Sequence, residues 1–147
     1  NGDMLVKQVS VYVENTTGRL AELTHILAEK GIDFRACNIA ETVDFGILRF
    51  IVPDPQEAVR LLKEHGFIAS VTEVIAVEIE DKPGGLDHIL RMLSGAGIAV
   101  KYLYSTITSD HADEEKAVIV MKVDDINGAI GILSRNNVRL YSTEDLV

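Results

Sequence analysis

The sequence predicts an α+β chain of two successive β-α-β-β-α-β units, each an antiparallel sheet with helices on one face. Three observations predict it. Apolar residues alternate with period two and then recur with helical spacing, in the same order twice. The same strand-to-helix turn occurs twice, as Glu14-Asn15-Thr16-Thr17-Gly18-Arg19-Leu20 and as Glu80-Asp81-Lys82-Pro83-Gly84-Gly85-Leu86. Landmarks also keep one spacing: Gly18 and Gly84 lie 66 positions apart, as do Gly31 and Gly97, Leu20 and Leu86, Val11 and Val77, and Ile32 and Ile98. A fixed period of that size marks a tandem repeat. The domains are read as 1–72 and 73–147.

The first unit opens with a strand at about Lys7 to Val13, with Val9, Val11 and Val13 on its inner face. The turn leads into a helix from Gly18 to Lys30, with Leu20, Leu23, Ile26 and Leu27 inward and Gly31 ending it in the manner of a C′ glycine. Asp33 to Glu41 alternates as a second strand, and Val43-Asp44 turns into a third, Phe45 to Val52. Asp54 is placed to cap the second helix and Pro55 suits its first turn. Ala58, Leu61 and Leu62 face inward, Gly66 closes that helix, and Phe67 to Val71 is the fourth strand.

The second unit repeats this order: strand Val74 to Glu80, helix Gly85 to Gly95, strand Ile98 to Ile107, strand Lys116 to Val123, helix Asp125 to Arg135 and strand Val138 to Tyr141. Leu86, Ile89, Leu90 and Leu93 share the inner face of its first helix. Its second helix matches that of the first unit at a spacing of 71 (Ala129 with Ala58, Leu133 with Leu62), so five extra residues fall in the acidic hairpin loop Thr108 to Glu115, which is expected to be mobile. The β-α-β-β-α-β order is the ferredoxin-like unit.

Composition narrows the function. The chain has 147 residues, a net charge of −9, 47% hydrophobic residues and 5% aromatics. That balance speaks against nucleic acid, which wants a basic surface with stacking rings, and against an anionic membrane surface. One cysteine, Cys37, leaves no disulfide framework and no CxxC metal pair, and it is read as a small apolar filler on a strand. Apolar runs are strand-length, and no secretory leader is read, so a cytoplasmic setting is expected.

Units of about seventy residues bury only about 60% of their unfolded surface, so each needs a neighbour. No breaker separates Phe67 from Glu80, which predicts two rigidly placed halves. The third strands are apolar on both faces (Ile47, Leu48, Phe50 and Ile51; Val118 to Met121) while helices cover one. A homodimer is expected.

In both turns the glycines bend the chain and bare N–H groups at a helix N-terminus, a place for a carboxylate or phosphate. The plain alternative is a tight connection and nothing more. Histidines 25, 65, 88 and 111 share no metal spacing and are read as solvated or cap-adjacent. Arg49 is read either as paired with a carboxylate, with Glu41 the candidate, or as an exposed charge; Tyr104 either walls a pocket or packs in a core. No GxSxG, Walker loop or nucleophile–base spacing is present, so neither catalysis nor a cofactor is expected.

The repeat, the topology, the Asp81-x-Pro83-Gly84-x-Leu86 turn and its partner Asn15-x-x-Gly18-x-Leu20 together resemble a tandem pair of ACT domains, the amino-acid-binding regulatory module. The first turn departs from that pattern by lacking the proline and carrying Asn15 for the acid. The resemblance implies a non-catalytic regulatory protein that binds a free amino acid at domain interfaces and passes its ligand state to a partner in amino-acid metabolism. Carried over residue by residue, the ligand set is Asn15, Thr16, Thr17, Gly18, Arg19 and Leu20, and Asp81, Lys82, Pro83, Gly84, Gly85 and Leu86. Facing strand positions are Cys37, Asn38 and Ile39, and Leu103, Tyr104 and Ser105. The first turn is favoured, because Asn15 offers a donor and an acceptor and Thr16 and Thr17 add hydroxyls. The rival readings are a ligand-free dimerisation scaffold, an RNA-binding sheet and a small enzyme of the same topology. The charge opposes the second, and no cluster of titrating groups supports the third.

Overall fold

A computed structural model describes residues 4–106 and 115–147. The described chain divides into two compact units: Lys7–Thr72, and Glu73–Leu146 together with the start of the chain as far as Val6. Apart from Glu115, the acidic hairpin loop read from the sequence lies outside the described residues.

The first unit contains β1 (Val6–Glu14), α1 (Arg19–Glu29), β2 (Arg35–Glu41), β3 (Phe45–Ile51), α2 (Pro55–Glu64) and the start of β4 (Ile68–Glu80), in the sheet order β2-β3-β1-β4. β1 and β3 are antiparallel with Val11 opposite Leu48 and Glu14 opposite Phe45. Because strand side chains alternate, Val9, Val11 and Val13 share one face, where they pack with Leu23 and Leu27 of α1 and Ala58, Leu61 and Leu62 of α2. Asp54 caps α2, its carboxylate accepting the Glu57 amide at 3.2 Å.

Two expectations about this unit, on Leu20 and Cys37, need correction. Leu20 is 41% exposed, because it lies in the first turn of α1, ahead of the stretch that covers the strands. Arg49 donates to Asn38, directly opposite it in the register, at 3.4 Å, while Glu41 lies opposite Gly46. Cys37 is exposed rather than a filler. It follows Ala36, whose φ of 55° marks an irregularity in the β2–β3 register between Arg35 and Asn38. Gln8, fully buried on β1, was not anticipated; it donates to Ser10, whose hydroxyl shares a hydrogen bond with Thr72.

The second unit contains the rest of β4, α3 (Gly85–Gly95), β5 (Val100–Thr106), β6 (Lys116–Val123), α4 (Ile126–Arg135), β7 (Leu140–Tyr141) and α5 (Thr143–Leu146), in the order β5-β6-β4 with β7 on the other side of β4. Val77 lies opposite Ile119, the counterpart of Val11 opposite Leu48. Ile75, Val77, Ile89, Leu93, Met121 and Leu133 form its core, with Leu86 and Leu90 packed against it. Asp125 caps α4 by accepting the Gly128 amide at 2.9 Å. Two strands read separately from the sequence, Phe67 to Val71 and Val74 to Glu80, are one strand of 13 residues, since no residue between them interrupts an extended backbone. Helix α5 is not anticipated by the sequence reading, although Ser142-Thr143-Glu144-Asp145 has the spacing of a capping box and shows one half of it: the Asp145 carboxylate accepts the Ser142 amide at 2.9 Å, and Leu146 is buried. Among the described residues no helix is long and apolar enough to cross a membrane.

Candidate functional site

Each unit carries its turn at the end of a β-strand whose apolar residues anchor one side of it. Gly18 has φ 87° and Gly84 has φ 91°, a left-handed conformation that favours glycine, and both stand as N-cap residues without a side-chain cap. The turns follow the same hydrogen-bond plan. The Asn15 amide donates to the Asp44 carbonyl at 3.3 Å and the Asp81 amide to the Glu115 carbonyl at 2.7 Å. Thr16 and Lys82 donate back to Glu14 and Glu80, and Arg19 and Gly85 to Thr16 and Lys82. The turn therefore spends three of its amides on its own shape, fewer being bare than the sequence alone suggests. Among the described residues the Thr17 and Gly18 amides meet no backbone acceptor. The side chains of Asn15, Thr16, Thr17 and Asp81 are exposed.

Gly85 has a different role. A Cβ built there would lie 1.9 Å from the Glu80 carbonyl oxygen, so the second turn closes more tightly than the first, where Arg19 occupies the matching position.

A cavity adjoins each turn. In the first unit it measures about 330 Å³ and is lined by Tyr12, Glu14, Arg19, Phe45, Gly66, Phe67 and Ile68. In the second it measures about 430 Å³, with Glu78, Glu80, Lys82, Gly84, Gly85, His88, Lys116 and the segment Asn136 to Arg139 in its wall. These are the same place in the fold: Tyr12 corresponds to Glu78, Glu14 to Glu80, Phe45 to Lys116, Gly66 to Asn137, Phe67 to Val138 and Ile68 to Arg139 at the spacings of the repeat. The chemistry of the two differs. In the first, Tyr12 and Phe45 meet edge to face at 5.1 Å, and the Arg19 guanidinium lies over Phe67, 3.7 Å from the ring centroid, while pairing with Glu22 at 3.1 Å. In the second, Glu78 accepts the Tyr141 hydroxyl at 2.8 Å and lies 3.8 Å from Arg139, and Lys82 pairs with Glu80 at 2.6 Å.

That network shifts the groups in it. Burial first, and the Glu78 carboxylate second, push the Tyr141 hydroxyl up to about 12. The hydrogen bond from Lys82 holds the Glu80 carboxyl below its usual range, and Glu80 in turn raises the Lys82 ammonium. Among the described residues no group of three His, Cys, Asp or Glu could hold a metal ion.

The structure thus places Arg19 at the first cavity and Lys82, Pro83, Gly84 and Gly85 at the second. It does not bring the β2 or β5 positions to them. Cys37 and Ile39 are exposed, Tyr104 is buried at 8%, and none of Cys37, Asn38, Ile39, Leu103, Tyr104 or Ser105 lines either cavity. Sequence reasoning missed Tyr12, Phe45, Phe67 and Ile68, and their counterparts Glu78, Lys116 and Arg139. His88, read as solvated or cap-adjacent, is exposed, and its amide donates to the Gly84 carbonyl at 3.0 Å while the residue forms part of the second cavity's wall.

Comparison with known proteins gives concordant results. The family model for an ACT domain pair matches residues 4–147. A crystal structure of a protein from Bacteroides thetaiotaomicron is similar at 36% identity and a TM-score of 0.88, over 99% of this chain and 97% of that one. The ligand-free regulatory subunit of aspartate kinase from Thermus thermophilus shares the fold at 15% identity and a TM-score of 0.64, over 92% of this chain and 95% of that one. The corresponding subunit from Thermus flavus does so at 16% identity and 0.63, over 90% and 93%. No curated protein sequence matches.

Proposed function

Because the chain belongs to the ACT domain-pair family, we propose that it is a non-catalytic sensor that binds a free amino acid at its strand-to-helix turns and reports the ligand to another macromolecule. The observation that carries this reading is the matched pair of turns, each with a left-handed glycine at φ near 90° and each with a cavity beside it, walled in the first unit by Glu14 and Arg19 at the turn's two ends and in the second by Lys82 to Gly85. A ligand carboxylate suits the Thr17 and Gly18 amides at the start of α1, where the helix dipole adds about 0.3–2 kcal/mol. The ammonium is met by a side-chain oxygen such as that of Asn15, Glu14 or Asp81. Binding at ACT domain interfaces then shifts the population of domain arrangements, to the extent that the ligand prefers one of them. In this reading the protein works in the cytoplasm as a homodimer, and the partner is an enzyme or regulator of amino-acid metabolism.

A thermal-shift screen of the purified chain against the twenty amino acids tests it. A ligand at 100 times its dissociation constant stabilises by about 2.7 kcal/mol, enough to move the midpoint by several degrees. One or two clear hits, abolished by Gly18→Val or Gly84→Val, support the sensor. A flat panel from a stable dimer contradicts it and turns the reading to a ligand-free scaffold.

A further inference from the structure

The two turns are alike and the two cavities are not, so the repeats cannot share one specificity. We infer that the first unit selects an amino acid with an aromatic or branched apolar side chain, which fills the cavity walled by Tyr12, Phe45, Phe67 and Ile68, and that the second unit rejects such a ligand. The inference rests on the sensor reading and names the ligand class of its first site.

The size fits a single small molecule. About 330 Å³ stands at the lower end of ligand pockets, roughly 300–1,000 Å³. Tyr12, Phe45, Phe67 and Ile68 make most of the wall apolar, and two of them are exposed: Tyr12 at 47% and Ile68 at 68%. Exposed apolar surface at a concave site gains free energy from any apolar group that covers it, whereas a polar side chain entering there loses water without finding partners. Charge is confined to Glu14 and Arg19, which flank the turn in sequence. The polar end of an amino acid therefore belongs at the turn and its side chain in the cavity. Arg19 keeps N–H groups beyond the one that pairs with Glu22, and these suit a carboxylate.

At the matching positions of the second unit Tyr12 is replaced by Glu78, Phe45 by Lys116 and Ile68 by Arg139. Glu78 and Arg139 are engaged with each other and with Tyr141, and Arg139 lies over the Tyr141 ring, 4.3 Å from its centroid. An apolar side chain placed there would strip water from charges and receive nothing in return.

The test is isothermal titration of the full chain with leucine, phenylalanine, aspartate, lysine and serine, each alone. The expected result is binding of leucine or phenylalanine and no heat from the other three. The double variant Tyr12→Glu, Ile68→Arg, which installs the second unit's residues at exposed positions, should weaken that binding at least about tenfold, as the loss of a few apolar contacts does. Val43→Lys, at a residue 92% exposed and outside both cavities, should leave it unchanged. Should the double variant fail to fold, the unmodified protein supplies a second readout: the Ile68 methyl and Tyr12 ring resonances must move on adding leucine or phenylalanine. Binding of a charged or polar amino acid alone, apolar binding indifferent to the double variant, or unmoved Ile68 and Tyr12 resonances overturns the inference and leaves the sensor reading intact. Silence from all five overturns the inference, and silence across the twenty-amino-acid screen overturns the sensor reading as well.

Discussion

Replacing Gly85 by alanine should destabilise the protein, while the same change at the other end of the same helix should not. At Gly85 the new Cβ would lie 1.9 Å from the Glu80 carbonyl oxygen and 3.0 Å from its carbon. Both belong to backbone, so no side-chain rotation relieves the overlap, and crowding of this kind costs about 1–3 kcal/mol. Moving the Glu80 peptide away also loosens the bond it accepts from the Lys82 amide at 3.0 Å, a further loss of about 0.5–1.5 kcal/mol. The sum is about 1.5–4.5 kcal/mol, or roughly 3–18 °C in a chain of this size. At Gly95 an added Cβ meets nothing within 4 Å, and restricting the unfolded chain should contribute about 0.4–1 kcal/mol of stability. Urea unfolding of Gly85→Ala and Gly95→Ala beside the parent checks both, read from midpoints at an unchanged slope. Equal midpoints for the two variants would refute the reasoning, because they would show that the second turn opens freely to admit a side chain.

Three further outcomes follow from the same structure. Asp54→Ala and Asp125→Ala each remove a helix cap and should each lower stability by about 0.5–2 kcal/mol in urea titrations. Leu23→Ala and Leu93→Ala each open a void in a different core and should each cost about 2–5 kcal/mol by the same assay. Tyr141 should make the protein less stable as pH rises from about 10 to about 12. Folded, it keeps its proton up to about 12, while the unfolded chain releases it near 10, so the native state binds more protons in that window. Between pH 9.5 and 11.5 the loss is of order 2 kcal/mol, and it should be missing from Tyr141→Phe when midpoints are compared at those two values.

The fold was legible because two periodicities and a repeat reinforce one another. Val9, Val11 and Val13 alternate, Leu23, Ile26 and Leu27 follow a helix, and each set has a counterpart 66 residues on, so an error in one unit would have clashed with the other. Asp54 and Pro55 mark a helix start by chemistry that is local, and local chemistry reads well from sequence. The misses are of another kind. Leu20 has the spacing of a core residue, but spacing does not say where along its length a helix meets the sheet. Cys37 has the alternation of a strand residue, but the irregularity beside Ala36 breaks the β2–β3 register there and leaves it exposed.

The site was half legible. Gly18 and Gly84 announce themselves, because a left-handed residue before a helix favours glycine. The cavity walls come from strand ends and the α2–β4 and α4–β7 connections, which are distant in sequence and share no motif. One signal did exist: aligning the repeats sets Tyr12 against Glu78, Phe45 against Lys116 and Ile68 against Arg139. Three exchanges of apolar for charged residue at corresponding positions mark a surface that the two units use differently.

The most direct measurement is an NMR titration of the full chain with each amino acid, following the backbone amides of both turns. The account predicts that a saturating ligand shifts Asn15, Thr16, Thr17, Gly18 and Arg19 first and most, together with Tyr12 and Ile68. Shifts absent from those residues with every amino acid, or concentrated away from both turns, would contradict the claim that this chain senses an amino acid there.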